Sequence, residues 1–220
     1  MTYVVRQGRR WRGILAAVLA AVFFVPVPVG AGGTTSGLTG LVEVKTADVL
    51  PPESLRLSLY YNSRSSAFQP AVAFGIVPGL EVAVNGSTGG RGGDGTLGLG
   101  AKIGVLAETR DLPGLALGFT WGGVDSPSFF GTLSKRLSNL WRLHGGLTTG
   151  SDHPFFIGLS GLLNPVQAGG GFPPTTLLIE ADGDSLLVGT RFNLAAGFDA
   201  TLALRSLESF QVGVSYQTSF

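Results

Sequence analysis

The sequence predicts an all-β fold, a single antiparallel transmembrane β-barrel of about 12 strands within a range of roughly 10 to 14. Three observations carry that expectation. Apolar residues recur at every second position from Ser54 onward, the period of a strand with two differently solvated faces. Hydrophobic residues make up 44% of the 220 residues and charged residues 13%, yet no segment after the N-terminus is apolar for the roughly 20 residues a membrane helix needs. The 35 glycines and only 14 acidic residues disfavour helices, since each interior Gly costs about 1 kcal/mol relative to Ala.

Residues 1–31 read as a secretory signal peptide. Arg6, Arg9, Arg10 and Arg12 form a basic start, Ile14 to Val29 an apolar stretch interrupted by Pro26 and Pro28, and Val29-Gly30-Ala31 a small-residue cleavage site before Gly32. Removing the four arginines leaves 11 basic against 14 acidic residues, so the mature charge of about −3 gives no reason to expect a nucleic-acid partner. The absence of cysteine is compatible with export and implies no disulfide framework. Residues 32–53 form a periplasmic lead-in, and whether they enter the barrel is open at this stage. The barrel occupies 54–220.

Alternation predicts strands at 54–62, 70–77, 80–87, 95–106, 113–123, 128–137, 140–149, 154–163, 174–181, 185–193, 198–205 and 209–220. In the first of these Leu55, Leu57, Leu59 and Tyr61 share one face and Arg56, Ser58 and Tyr60 the other. Short turns at 77–79 and 137–139 alternate with longer polar loops at 63–69, 86–95, 124–128 and 150–154, the habit of outer-membrane barrels. In the second half 164–174 and 182–184 break that pattern. Tyr60, Tyr61, Trp121, Phe129, Phe130, Trp141, Phe155, Phe156, Tyr216 and Phe220 fall near strand ends, as interfacial girdles do, although core positions fit them equally. The last strand places Phe210, Val212, Val214 and Tyr216 on one face and ends on Phe220, so that Tyr216 and Phe220 look like a C-terminal assembly signal for barrel-assembly machinery.

The segments Gly37-Leu-Thr-Gly-Leu-Val-Glu-Val-Lys-Thr-Ala-Asp-Val-Leu-Pro-Pro-Glu-Ser-Leu-Arg-Leu57, Phe74-Gly-Ile-Val-Pro-Gly-Leu-Glu81 and Leu178-Ile-Glu-Ala-Asp-Gly183 together resemble the YjbH-like bacterial outer-membrane proteins over most of 37–220. Their shared motifs are turns and strand starts. The resemblance implies a barrel in the outer membrane and, among partners, envelope or polysaccharide-export components.

Residue chemistry points away from an enzyme. Only His144 and His153 are available as bases, Ser151, Asp152 and His153 cannot converge merely by being neighbours, and Gly158-Leu-Ser160-Gly161 lacks the glycine pattern of a nucleophile elbow. The run Gly89 to Gly95 is flanked by strands, not by the helix a phosphate cradle opens, and Asp182-Gly183-Asp184 reads as a tight turn. No catalytic, cofactor or metal site is therefore expected, and no cofactor. The residues singled out are those expected to line the lumen: Arg56, Glu81, Lys102, Arg142, His144, Glu180, Arg191 and Arg205. Three functions suit this pattern: an accessory envelope barrel embedded in outer-membrane lipid, a narrow porin-like channel whose inner charges form a ring or a closing ladder, and a secreted soluble β-sandwich.

Overall fold

The computed structural model describes residues 32–89, 95–123, 127–150, 152–164, 172–183, 185–194 and 197–220. The expected signal peptide and the centre of the glycine-rich loop lie outside the described residues, as do Ser151 and Asp184. Twelve strands follow in chain order: β1 (Ser54–Asn62), β2 (Ala67–Val77), β3 (Leu80–Gly89), β4 (Thr96–Leu106), β5 (Gly114–Gly122), β6 (Ser128–Arg136), β7 (Trp141–Thr148), β8 (Phe155–Asn164), β9 (Thr175–Ala181), β10 (Leu186–Asn193), β11 (Phe198–Arg205) and β12 (Ser209–Ser219). Each pairs antiparallel with its sequence neighbours, and β1 pairs with β12 from Ser54↔Ser219 to Asn62↔Gln211, which closes the barrel. Closure leaves no sheet edge with unpaired backbone groups, the condition for a sheet to cross hydrocarbon. An 11-residue strand tilted by about 40° spans roughly 28 Å, close to the thickness of a bilayer core.

The apolar face points outward. Leu57, Leu99, Ile103, Trp121, Phe129, Ile157, Leu202 and Val214 are between 43% and 71% exposed, and they belong to a continuous apolar belt. Such a surface in water would far exceed the few hundred Å² of apolar patch that soluble proteins expose. A β-sandwich would bury this face in its core, so the closed barrel rules out the sandwich alternative. Aromatics mark both rims of the belt. At the rim carrying the β1–β2 and β11–β12 turns, here the loop rim, Tyr61 lies 5.1 Å from Phe68 and 6.1 Å from Phe210, and Phe119 lies 6.4 Å from Phe129. At the opposite rim, where β1 begins and β12 ends, Phe198 lies 4.6 Å from Tyr216.

Two details of the sequence reading change. Tyr60, Phe130 and Phe156 are not girdle residues but point inward, Tyr60 being only 2% exposed. Each lies directly across from a glycine of the neighbouring strand, namely Gly213, Gly118 and Gly146. A methyl group on Gly213 would sit 2.3 Å from the Tyr60 ring, so the missing side chain is what lets the ring lie flat against the wall. Loop length also fails to separate the rims. Connections at the loop rim (63–66, 90–95, 123–127, 149–154, 182–185 and 206–208) are no longer than the opposite set, which includes 107–113 and 165–174.

Candidate functional site

Alternation puts Arg56, Glu81, Lys102, His144, Glu180 and Arg191 on the inner face, and all six are at most 5% exposed. What buries them is the chain's own segment 32–53. Leu38, Val42, Thr34 and Thr46 are completely buried, and Leu41, Val44 and Leu50 nearly so. The segment folds through the lumen without a regular strand or helix, as turns tied by the isolated bridges Gly33↔Thr39 and Gly40↔Lys45 and by main-chain hydrogen bonds such as Thr34 N to Leu38 O, Thr35 N to Val42 O and Leu41 N to Val44 O, which satisfy part of its backbone. Gly37 turns the chain at φ 86°, where a side chain would also lie 2.9 Å from the Ala71 methyl.

A segment of irregular backbone cannot be buried unless its polar groups find partners. The lumen charges supply them. Glu180 accepts from three successive amides, Val42 N at 2.7 Å, Glu43 N at 2.8 Å and Val44 N at 2.7 Å. Glu81 accepts from Thr39 N and Leu50 N, each at 2.7 Å, and from the Thr39 hydroxyl. Lys102 faces Glu81 across the β3–β4 ladder, with Nζ 3.1 Å from its carboxylate and both side chains fully buried. The same ammonium donates to the carbonyls of Thr39 at 2.7 Å and Thr46 at 3.0 Å. Arg191 donates to Leu41 O at 2.5 Å and Gly40 O at 3.3 Å, and Tyr60 Oη donates to Gly33 O at 2.7 Å. A buried ion pair is tolerable only when its remaining donors and acceptors are satisfied, and here the plug's main chain satisfies them.

Apolar packing completes the seat. Leu41, Val42 and Val44 join Tyr60, Leu178, Leu187 and Ala203 in one cluster, while Leu38 and Leu50 pack with Ala73, Ala83 and Phe130 in another. Each fully buried Leu or Val contributes about 1.5–3 kcal/mol relative to exposure. Leu178 and Leu187, with Tyr60 and Phe130, are thus the large apolar side chains on an inner face that otherwise carries small and polar residues, a signal that something apolar fills the lumen.

The remaining two residues of the expected set, Arg142 and Arg205, sit at opposite rims and hold the plug by its acidic side chains. Arg205 pairs with Glu43 at 2.8 Å and Asp182 at 3.3 Å at the loop rim. Arg142 pairs with Asp48 at 2.5 Å and Glu108 at 2.6 Å at the other. Burial acts to raise the Asp48 carboxyl, but the hydrogen bond and charge of Arg142 outweigh it and hold that group below the ordinary carboxylate range. His144 bridges the wall, with Nδ1 2.8 Å from Ser134 Oγ and Nε2 3.1 Å from Ser160 Oγ; Ser134 Oγ also accepts from Ala47 N at 2.8 Å. Glu43, Asp48, Tyr60, Asn85 and Ser134 act at this site although they were not among the residues expected to line the lumen: Glu43 and Asp48 lie in the lead-in segment, which has no alternation, and the inner-face positions of the other three carry no charge to single them out.

A cavity of about 630 Å³ opens at the loop rim, lined by Glu43, Lys45, Gln69, Asp182 and Arg205 among others. A second of about 310 Å³ lies at the other rim beside Asp48, Arg142, His144 and Ser160. Among the described residues no cluster of three His, Cys, Asp or Glu side chains could hold a metal ion.

The barrel matches the KdgM porin, solved in complex with disordered oligogalacturonate, at a TM-score of 0.53 with 8% identity over 76% of this chain and 99% of that one. This is the fold of a small twelve-stranded porin. The NanC porin matches at 0.50 and 9% identity, covering 74% and 98% of the two chains. The Acinetobacter baumannii outer-membrane protein Omp33 matches at 0.45 with 8% identity, over 76% of this chain and 97% of that one. No family model and no curated protein matches the sequence. At such identities the porin likeness is one of fold.

Proposed function

We propose that the chain is a non-enzymatic outer-membrane barrel, of the accessory envelope type, whose lumen is held shut by its own N-terminal segment. The observation that carries this reading is the burial of residues 33–50 inside the barrel, with Glu81, Glu180, Lys102 and Arg191 spent on that segment and not presented to a solute. The outward apolar belt with aromatics at both rims supports the bilayer as its environment, and the porin fold agrees with that location. Tyr216 and Phe220, at the end of β12, are the groups assembly machinery would read, and bilayer lipid is the partner of the outer wall. Cleavage of residues 1–31 as a secretory signal rests on their sequence pattern, and any service to exopolysaccharide export rests on the YjbH-like resemblance alone.

A second reading is favoured by the cavities of about 630 and 310 Å³ on either side of the plug: a porin-like channel that conducts when the segment withdraws. Ion conductance of the purified chain in planar bilayers separates the two. The closed accessory barrel predicts no steady channel in the intact chain, whereas a persistent channel of uniform size would overturn it and support the porin reading.

A further inference from the structure

The inner wall meets the plug largely through main-chain atoms. Glu180 holds three consecutive N–H groups in the manner of an anion in a backbone nest, with the roles of ligand and site exchanged. Lys102 and Arg191 take carbonyls of Thr39, Thr46, Gly40 and Leu41. Asn85 donates to Ser36 O at 3.1 Å and Thr132 to Lys45 O at 2.9 Å. The ion pairs to plug side chains are the two rim clasps, Glu43 with Arg205 and Asp48 with Arg142. Between the clasps, what is read besides the main chain is Thr39, the Lys45 ammonium 5.7 Å from the centre of the Phe130 ring, and a few Leu and Val side chains in apolar seats.

We infer that the lumen is a binding site for a polypeptide segment, recognised by its main-chain N–H and C=O groups together with small apolar side chains, and that residues 33–50 are the ligand occupying it in cis. The proposal rests on the reading of that segment as a lumen plug. Because every amino acid but proline carries the same main-chain groups, the site accepts an equivalent segment of another chain once the tethered one is loosened. The segment folds back on itself through main-chain hydrogen bonds such as Thr35 N to Val42 O and Thr46 N to Thr39 O, and the wall takes the amides and carbonyls those bonds leave over, so a free peptide would order into the same turns on entry. The tether sets the competition: a covalently attached copy acts at an effective concentration of the order of millimolar, so a peptide in trans gains access only when the clasps are cut.

The test uses the full chain in detergent micelles, as wild type, as Glu43→Gln, and as the Glu43→Gln/Asp48→Asn double variant, each checked for a folded, heat-modifiable gel band. The probe is a fluorescent synthetic peptide with the sequence of residues 32–53. Two altered peptides accompany it, one N-methylated at the amides of Val42, Glu43 and Val44, the other carrying Gln in place of Glu43. Saturable binding is expected to rise at least tenfold from wild type to the double variant, with the single variant between them. N-methylation is expected to weaken binding at least tenfold, and the Gln peptide to bind within about threefold of the parent. Absence of saturable binding to any folded variant, or equal binding of the N-methylated peptide, would overturn the inference. Amide exchange in the wild type separates this from a failure of the plug reading itself: protected amides at 42–44 without trans binding sink only the peptide site, whereas unprotected amides there sink both.

Discussion

Glu180→Gln isolates the strongest plug contact, because it keeps side-chain volume and replaces one acceptor oxygen by a donor. The carboxylate accepts one amide on Oε1 and two on Oε2 at 2.7–2.8 Å. The better amide orientation keeps its oxygen toward Glu43 and Val44 and turns its NH2 group against Val42 N. One buried N–H then has no acceptor, at about 1–3 kcal/mol, and the two retained bonds lose charge assistance, at about 1 kcal/mol each. The neutral side chain also escapes the desolvation that the buried carboxylate bears, which offsets part of this. The net weakening is about 2 kcal/mol, or roughly a 30-fold rise in the population with the plug released. Amide hydrogen exchange at Val42, Glu43 and Val44 in micelles, read at fixed pH, measures that population. A change smaller than threefold in a folded variant would refute the reasoning, since the three amides would then owe their protection to something other than Glu180.

Lys102→Met removes the cation from a fully buried pair and is expected to cost about 3–5 kcal/mol, seen as a lower temperature of conversion between folded and unfolded gel bands. The Glu81→Gln/Lys102→Met double variant should lose less than the sum of the two singles. Leu202→Arg, in the middle of β11 on the outer wall, should cost about 2–4 kcal/mol in lipid and reduce the folded yield in vesicles, whereas a water-facing wall would accept it without loss. The Asp48 clasp gives a pH dependence whose sign follows from its depressed carboxyl. Its contribution is fully present above the unfolded value of 3.8 and is lost as pH falls through the lower folded value. Exchange protection at residues 46–49, corrected for intrinsic rates, should therefore be flat between about pH 5 and 8 and fall only in stronger acid. Asp48→Asn should lower it at neutral pH.

The barrel was legible because its physics repeats with period two. Alternation located every strand to within a few residues, and the inner or outer side of Arg56, Glu81, Lys102, Arg142 and Arg191 followed from neighbours such as Leu57, Val82, Ile103, Leu143 and Phe192. The expected loop 63–69 proves shorter, since β2 starts at Ala67 and carries Pro70 in its interior. The proline is tolerated there because the register with β3 skips it, running from Phe68↔Thr88 to Ala71↔Asn85. Tyr60, Phe130 and Phe156 were harder, since an aromatic near a strand end fits a girdle or a lumen equally until the glycine across the ladder is known. The plug was not legible at all. Residues 32–53 have no regular period, and much of their seating is set by Glu81, Glu180, Lys102 and Arg191, residues far away in sequence whose charges fit a ring or a closing ladder equally. Leu178 and Leu187, apolar on an inner face, were the trace that an apolar segment sits against them.

A disulfide between plug and wall tests the lumen's occupancy most directly. The chain has no cysteine, and a side chain built at Gly114 of β5 would have its Cβ 3.4 Å from that of Ala47, close to the roughly 3.5–4.5 Å of a disulfide. For the Ala47→Cys/Gly114→Cys chain folded in lipid, the account predicts a bond under mild oxidation, identified by mass spectrometry of the cross-linked peptides. Both thiols remaining free in the folded barrel and open to a bulky water-soluble alkylating reagent would contradict it.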